Sequence, residues 1–172
     1  MKFTWFGGGT LRVHVGGRIL VVDPVAIGGV EAAELLSGAD RVFGWNNDLP
    51  VADARRWQPR RAPALVDEAE TPELFVYRLD SEAVLIDAVG EPPLVLARGP
   101  VPLAGRWGSS AVVVVFGSDA ATAAVSALEG MAPRLIAVAG DESAVDAVLA
   151  AIGERLDGTG FMALEPGMAL EV

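Results

Sequence analysis

The stretch Phe3-Thr4-Trp5-Phe6-Gly7-Gly8-Gly9-Thr10, with Gly17-Arg18-Ile19-Leu20-Val21-Val22-Asp23-Pro24 shortly after it, decides the fold. Its residues follow patterns typical of β-strands, and Gly16-Gly17 provides a turn that needs positive φ angles. We predict three consecutive strands, over residues 4–6, 11–15 and 19–22. The third is apolar throughout, which is typical of a strand buried on both faces. The N-terminus is therefore predicted to be a β-meander and not a βαβ unit.

The middle of the chain is predicted to be mostly β, because short apolar runs alternate there with turn residues. A strand over residues 41–45 runs into a polar turn, residues 74–79 and 83–88 form a hairpin, and residues 94–97 add a shorter strand. Residues 30–36 are predicted to form a short helix that ends at Gly38, and residues 52–57 a helical turn.

The last third of the chain alternates strands with helices. Strands are predicted over residues 112–116, 135–139, 161–164 and 169–172. Ser118 or Asp119 can cap a helix that reaches about Met131, and Asp141 is a good N-cap for the next helix. An apolar stripe at helical spacing is expected to face the core from that second helix, and it consists of Val145, Val148, Leu149, Ile152 and Leu156.

The N-terminal strands resemble the opening of the metallo-β-lactamase-fold hydrolases, most closely the lactonase-like branch related to L-ascorbate-6-phosphate lactonase. In that family one strand ends in Gly-His-Ala and a later strand ends in Asp-Pro. Here Asp23-Pro24 is present, whereas the histidine position is Gly8. Residues 38–43, 135–141 and 164–172 resemble three further family segments. The resemblance implies an α/β fold, a shortened metallo-β-lactamase-like αββα sandwich of two mainly antiparallel sheets with few outer helices.

The metal-binding motifs of that family are missing from this chain. Where the family has Thr-His-x-His-x-Asp-His, the expected ligand positions hold Asn46, Asp48, Pro50 and Val51, and the late strand ends without a histidine. The ligand count gives the same result without the family. One histidine and no cysteine cannot supply the imidazole and thiolate groups that zinc prefers.

We therefore predict no catalytic residue, no cofactor and no bound metal. What remains is expected to be a vestigial cleft around Gly8, Asp23, Asn46 and Asp48. An oxygen-only Mg²⁺ or Ca²⁺ site is the alternative, because these ions prefer carboxylate and amide oxygens. Its ligands would be Asp23, Asn46, Asp48 and Asp67.

The histidine and the glycine run are interpreted as structural features. His14 shares one face of its strand with Arg12, so it is expected on the less buried side, and no Gly-x-Ser-x-Gly elbow accompanies it. Gly7-Gly8-Gly9 precedes a strand, whereas a phosphate-binding glycine loop leads into a helix. The run predicts a sharp turn.

A basic and aromatic cluster offers a candidate interface. It consists of Arg55, Arg56, Trp57, Arg60 and Arg61. Tryptophan with flanking arginine is typical of an interface hot spot, so the cluster could contact an acidic partner or a second copy of this chain. The alternative is a helix C-terminus stabilised by its arginines while Trp57 covers the core. Trp45 and Trp107 could line the cleft, but core packing is the expected role of both.

Composition restricts the partners. The net charge of −10 opposes binding to nucleic acids and anionic membranes. No apolar run is long enough to cross a bilayer, and no signal-peptide pattern begins the chain, which predicts a cytoplasmic protein. The length of 172 residues is typical of one domain, so we expect residues 1–172 to form a single unit.

These observations predict a non-catalytic, metal-free protein of this fold that acts by self-association, as a dimer, or by binding a protein or small ligand. The first alternative is a metal-dependent hydrolase of a small ester, lactone or phosphate substrate with a rebuilt oxygen-ligand site. The second alternative is a small-molecule sensor that uses the vestigial cleft.

Overall fold

The computed structural model describes residues 1–25, 31–60 and 73–172. In chain order the strands and α-helices are β1 (Lys2–Gly7), β2 (Thr10–Val15), β3 (Arg18–Val22), α1 (Ala32–Leu36), β4 (Arg41–Phe43), β5 (Leu74–Asp80), β6 (Ala83–Ala88), β7 (Leu94–Ala97), β8 (Val112–Phe116), α2 (Ala120–Met131), β9 (Leu135–Ala139), α3 (Glu142–Ile152), β10 (Gly160–Ala163) and β11 (Ala169–Glu171). Two 3₁₀ turns, Arg106–Ser110 and Gly153–Arg155, complete these elements.

The strands form two sheets. The first has the order β11-β1-β2-β3-β4, and the second has the order β10-β9-β8-β7-β6-β5. In the first sheet every pair is antiparallel except β3 with β4. In the second sheet β10, β9, β8 and β7 are parallel neighbours, whereas β7, β6 and β5 form an antiparallel meander. Both sheets are therefore mixed. The first is mainly antiparallel, as expected, whereas three of the five pairs in the second are parallel, which corrects the expectation for that sheet.

The physical reason for the parallel pairs lies in the connections. Helices α2 and α3 join β8 to β9 and β9 to β10, and a crossover helix returns the chain so that the next strand runs in the same direction. The N-terminal meander has only tight turns, and Gly16 and Gly17 adopt the positive φ angles of 56° and 74° that were predicted. Tight turns give antiparallel neighbours.

The interior of the sandwich lies between the two sheets. Phe3, Leu20 and Phe43 from the first sheet pack in one buried cluster with Ile86 and Val114 from the second. Burying each of these side chains contributes about 1.5–3 kcal/mol. This apolar layer is what holds the two sheets face to face.

Helices cover the outer faces. Helices α2 and α3 pack on the second sheet through a cluster that includes Ala124, Val148 and Ile152. Across the molecule, Arg12 on the outer face of β2 donates to the Leu35 carbonyl of α1 at 2.8 Å. The result is the four-layered αββα arrangement that was predicted.

Two local predictions need correction. Leu149 was expected in the buried stripe of α3 but is 43% exposed, because Val148 and Ile152 occupy the buried face and Leu149 lies about 100° around the helix from Val148. At α2, Asp119 stands at the N-cap position without a capping side-chain hydrogen bond. Asp141 does cap α3, as predicted, by accepting from the Ala144 amide at 2.9 Å.

None of the helices in the described part of the chain has the length and apolar character needed to span a bilayer.

Candidate functional site

Three chain segments meet at one end of the first sheet. They are the turn between β1 and β2, the residue that follows β3, and the loop that follows β4. Because β3 and β4 are parallel and β1 runs alongside in the same sense, their carboxyl ends lie at the same edge. This edge carries the residues of the predicted vestigial cleft.

The glycine run forms the tight turn that was predicted. Gly7 and Gly8 have φ angles of 117° and 52°, which are open to glycine without a Cβ penalty. The Gly8 carbonyl accepts from the Trp5 indole nitrogen at 3.1 Å. Gly8 itself is exposed, so it contributes backbone to the edge and no ligating group.

Asp23 is held in place by its backbone. Its amide donates to the Phe43 carbonyl at 2.8 Å, and its carbonyl accepts from the buried Thr10 hydroxyl at 2.6 Å. Its φ of 45° is unusual for a residue with a side chain, although aspartate tolerates this region better than most. The backbone thereby directs the carboxylate towards Gly9 and Gly44. A Cβ on Gly9 would stand 3.0 Å from Asp23 Oδ2, and one on Gly44 would stand 3.7 Å from Oδ1.

Trp45 fills the space beside this carboxylate. Its side chain is 6% exposed, and its ring meets Phe116 of β8 edge-on with centroids 5.7 Å apart. The indole nitrogen is buried and has no hydrogen-bond partner among the described residues. It lies 2.9 Å from the position that a Cβ on Gly9 would occupy, so the indole and the Asp23 carboxylate approach the same point beside Gly9.

The loop after β4 carries three polar residues, and all of them are exposed: Asn46, Asn47 and Asp48. Only Asn47 makes a side-chain contact to this end of the sheet, where its side-chain oxygen accepts from the Gly44 amide at 2.7 Å. Asn46 and Asp48 are the two residues that were predicted for the cleft. The structure thus brings Asp23, Gly9, Trp45 and Asn47 together, with Gly8 at the rim.

Two guanidinium groups stabilise the same loop. Arg78 of β5 donates to the carbonyls of Trp45 and Asn47 at 2.7 and 2.8 Å. Arg98 lies 5.2 Å from the centre of the Trp45 ring, a cation–π distance.

The late strand reaches the neighbouring edge of the second sheet. Gly140, which follows β9, packs so tightly that a Cβ would stand 2.7 Å from Ala144 Cβ. Asp141 is used as the helix cap. Hydrogen bonds from the Ala144 amide and the Ser143 hydroxyl lower the pKa of its carboxyl. Its Oδ1 atom accepts both hydrogen bonds and is thus committed to α3.

The residues present do not fit a catalytic zinc centre. Among the residues described, no group of three or more His, Asp or Glu side chains is placed to hold a metal ion. His14 is exposed on the outer face of β2, away from the interior, with its pKa lowered by partial burial and by the nearby Arg12 and Lys2. Asp67, part of the alternative oxygen-ligand set, lies outside the described residues.

The arginine and tryptophan cluster divides into two parts. Arg55 and Arg56 are exposed, whereas Trp57 is half-buried and meets Trp107 edge-on with centroids 4.8 Å apart. Arg60 is engaged within the chain, since it donates to the Tyr77 hydroxyl at 2.7 Å and lies 3.3 Å from the centre of the Phe75 ring. Arg61 lies outside the described residues.

The predicted cleft residues did not include four residues that the structure places at this edge, namely Gly9, Asn47, Arg78 and Arg98. A signal existed for Gly9 and Asn47, because they directly adjoin residues that were singled out. Arg78 and Arg98 lie on another sheet and a distant loop, and nothing in their local sequence links them to residue 45.

Neither a protein-family model nor a curated protein matches this sequence. A solved Thermotoga maritima structure, assigned as a Zn-dependent hydrolase of the metallo-β-lactamase superfamily, is similar with a TM-score of 0.51 and 13% identity, covering 96% of this chain and 99% of that one. At this identity the likeness concerns the fold. The chain therefore has a metallo-β-lactamase-like α/β fold of two mixed sheets with few helices, as its N-terminal residues predicted.

Proposed function

We propose that this chain is a metal-free protein of the metallo-β-lactamase-like fold that acts by association or ligand binding and not by hydrolysis. The observation that carries the proposal is the placement of Trp45. Its buried indole stands beside Asp23, where a ligand-binding cleft of this fold would need open space and further donor groups. The neighbouring positions contribute glycine backbone and an amide, and not imidazole.

A hydrolase with a rebuilt oxygen-ligand site would need at least one more carboxylate beside Asp23. Asp48 is the nearest candidate along the loop, but it is exposed. The guanidinium groups of Arg78, at the Trp45 carbonyl, and of Arg98, over the Trp45 ring, also oppose a bound cation at this edge. These features favour the non-catalytic proposal over the hydrolase alternative.

Hydrolytic assays test this part of the proposal. Protein purified without chelator is incubated with ester, lactone and phosphate-monoester substrates in the presence of Zn²⁺, Mg²⁺ or Mn²⁺. We expect rates equal to those of the Asp23→Ala variant and of buffer. A metal-dependent rate that disappears in Asp23→Ala or Asp48→Ala would support the hydrolase instead.

For association, we propose a second copy of this chain as the partner. The edge strands β10 and β11 support this surface, because each ends its sheet and leaves backbone groups unpaired by a neighbouring strand. Met162 and Met168 are 43% and 60% exposed there, beside a hollow of about 230 Å³. Exposed apolar side chains along unpaired edges are typical of interaction surfaces.

Sedimentation velocity over a wide concentration range tests the dimer. We expect a concentration-dependent dimer that Met162→Glu and Met168→Glu convert to monomer, while Arg55→Glu and Arg56→Glu leave it intact. If the two arginine variants instead gave monomers and the two methionine variants stayed dimeric, the interface would lie at the arginine cluster. A monomer at every concentration would contradict self-association.

A further inference from the structure

A second cavity opens at the opposite end of the sandwich. It has a volume of about 350 Å³ and is lined by the residues that begin β3, β4 and β5, namely Arg18, Asp40, Arg41, Glu73, Leu74 and Phe75. Asp23 and Trp45 lie beyond the carboxyl ends of β3 and β4, whereas this cavity lies at their amino ends. The cavity is therefore separate from the cleft described above and independent of the function proposed for it.

The two arginines point between the sheets. Leu20 packs in the interior, and Arg41 is its direct partner across the parallel β3–β4 pair, so both side chains share one face. Arg18 lies two residues before Leu20 in the same strand and takes the same face, because side chains alternate along a strand. Two cations thus occupy inward-facing positions at the mouth of an apolar interior.

These cations lack carboxylate partners within the part of the chain that the structure describes. None of its five salt bridges involves Arg18 or Arg41. The Nε atom of Arg18 is buried with no hydrogen-bond partner. Arg18 and Arg41 are half-buried, and the buried Nε–H of Arg18 lacks an acceptor among the described residues. A buried donor without an acceptor is costly, and an anionic ligand would remove this cost.

One carboxylate oxygen of each acidic residue in the cavity wall is engaged within the chain. Asp40 accepts from the Ile19 amide at 2.7 Å, and Glu73 pairs with Arg60 at 3.2 Å. Leu74 packs against the interior cluster and supplies an apolar wall next to the arginines. The cavity therefore offers two guanidinium groups on one side and an apolar surface on another.

We propose that this cavity binds a small organic anion, a carboxylate or phosphate monoester with a compact apolar body. Guanidinium groups bind both types of anion through paired N–H donors, and Arg18 and Arg41 supply these donors. The apolar body lies against Leu74 and the edge of Phe75. The volume is large enough for a ligand of benzoate size.

Calorimetric titration with benzoate, phenyl phosphate and inorganic phosphate, at constant ionic strength maintained with chloride, tests the site. We expect saturable binding of at least one organic probe, with an affinity reduced about tenfold in Arg18→Gln and in Arg41→Gln. The exposed Arg106 of the first 3₁₀ turn provides the control, and Arg106→Gln should bind as wild type does. Comparison of benzoate with phenyl phosphate identifies the preferred head group.

Amide chemical shifts of the wild-type protein give a second measurement that does not depend on how the variants fold. The probes should shift the amides of Arg18, Arg41 and Leu74 and leave that of Gly158 unchanged. No binding of any probe at millimolar concentration, or equal affinity in wild type and both glutamine variants, would overturn the proposal.

Discussion

Trp45 Nε1 and Asp23 Oδ2 lie 2.9 and 3.0 Å from the position that a Cβ on Gly9 would occupy. A buried indole donor and a carboxylate thus approach one glycine at this end of the first sheet. Only a residue without a side chain fits between them. Among the described residues, no group of three or more His, Asp or Glu side chains is placed to bind a metal ion here.

The first prediction concerns Gly9. Gly9→Ala should lower the free energy of unfolding by about 1–3 kcal/mol, because the new methyl group overlaps the Trp45 indole and the Asp23 carboxylate. Gly153→Ala is the matched control, since its Cβ would find its nearest neighbour at 3.8 Å. Urea unfolding measures both. Equal stability of the two variants would show that the space between the Trp45 indole and the Asp23 carboxylate accepts a methyl group at Gly9.

Trp45 and Trp107 allow a matched comparison of two buried indoles. Trp107 donates to the Ala54 carbonyl at 2.7 Å, whereas the Trp45 nitrogen has no partner. Trp45→Phe should therefore stay within about 1 kcal/mol of wild type, because it removes an unpaired N–H and keeps the contact with Phe116. Trp107→Phe should cost more, since it breaks a buried hydrogen bond.

Denaturant midpoints measure this difference, with Trp45→Ala as the reference for complete loss of packing, at about 3–5 kcal/mol. If Trp45→Phe proved as destabilising as Trp45→Ala, the Trp45 indole nitrogen would have a hydrogen-bond partner that contributes to stability.

Arg78 is predicted to stabilise the loop after β4. Arg78→Met removes three donor contacts, to the carbonyls of Trp45, Asn47 and Ser81, and should cost about 2–4 kcal/mol. Arg78→Lys should not restore stability, because an ammonium group lacks the fork that reaches all three carbonyls. Arg56, whose side chain is 89% exposed, supplies the control, and Arg56→Met should be nearly neutral.

Asp87 should make stability depend on pH. Its side chain is 4% exposed, and burial raises its pKa above the ordinary value of 3.8, although Arg60 at 3.7 Å partly opposes the shift. The folded protein then holds this proton to higher pH than the unfolded chain does. The Asp87 contribution to stability is therefore greatest below pH 3.8 and is lost as the pH rises through the raised pKa.

Urea unfolding at several pH values from 3.5 to about 7, compared with Asp87→Asn, measures this dependence. Wild type should lose stability relative to the variant as the pH rises. Asp141→Asn is the control of opposite sign, because hydrogen bonds lower the Asp141 pKa and its contribution is lost as the pH falls. A wild-type and Asp87→Asn pair with parallel pH profiles would contradict the assignment.

Much of the fold could be predicted because its signals are local. Asp141 caps α3 as expected, since a cap needs only a side-chain oxygen and the first turn of its own helix. The parallel pairing in the second sheet was missed although a signal existed. Helices α2 and α3 stand between successive strands, and such crossovers produce parallel neighbours.

The candidate site could be predicted only in part. Asp23 was recognised because Asp-Pro after an apolar strand is a sequence feature. Asn46 was predicted for the cleft, whereas it is Asn47 whose side-chain oxygen accepts from the Gly44 amide. Which of two adjacent asparagines makes this contact depends on the backbone of one loop. The contact of Arg98 with Trp45 joins residues distant in the chain, and no local pattern specifies it.

Metal binding is the decisive measurement for the metal-free proposal. Protein purified without chelator is examined by elemental analysis and then titrated calorimetrically with Zn²⁺, Mg²⁺ and Ca²⁺, beside the Asp23→Asn variant. We expect no stoichiometric metal and no difference between wild type and variant. One or more equivalents of metal bound by wild type and lost in Asp23→Asn would contradict the proposal.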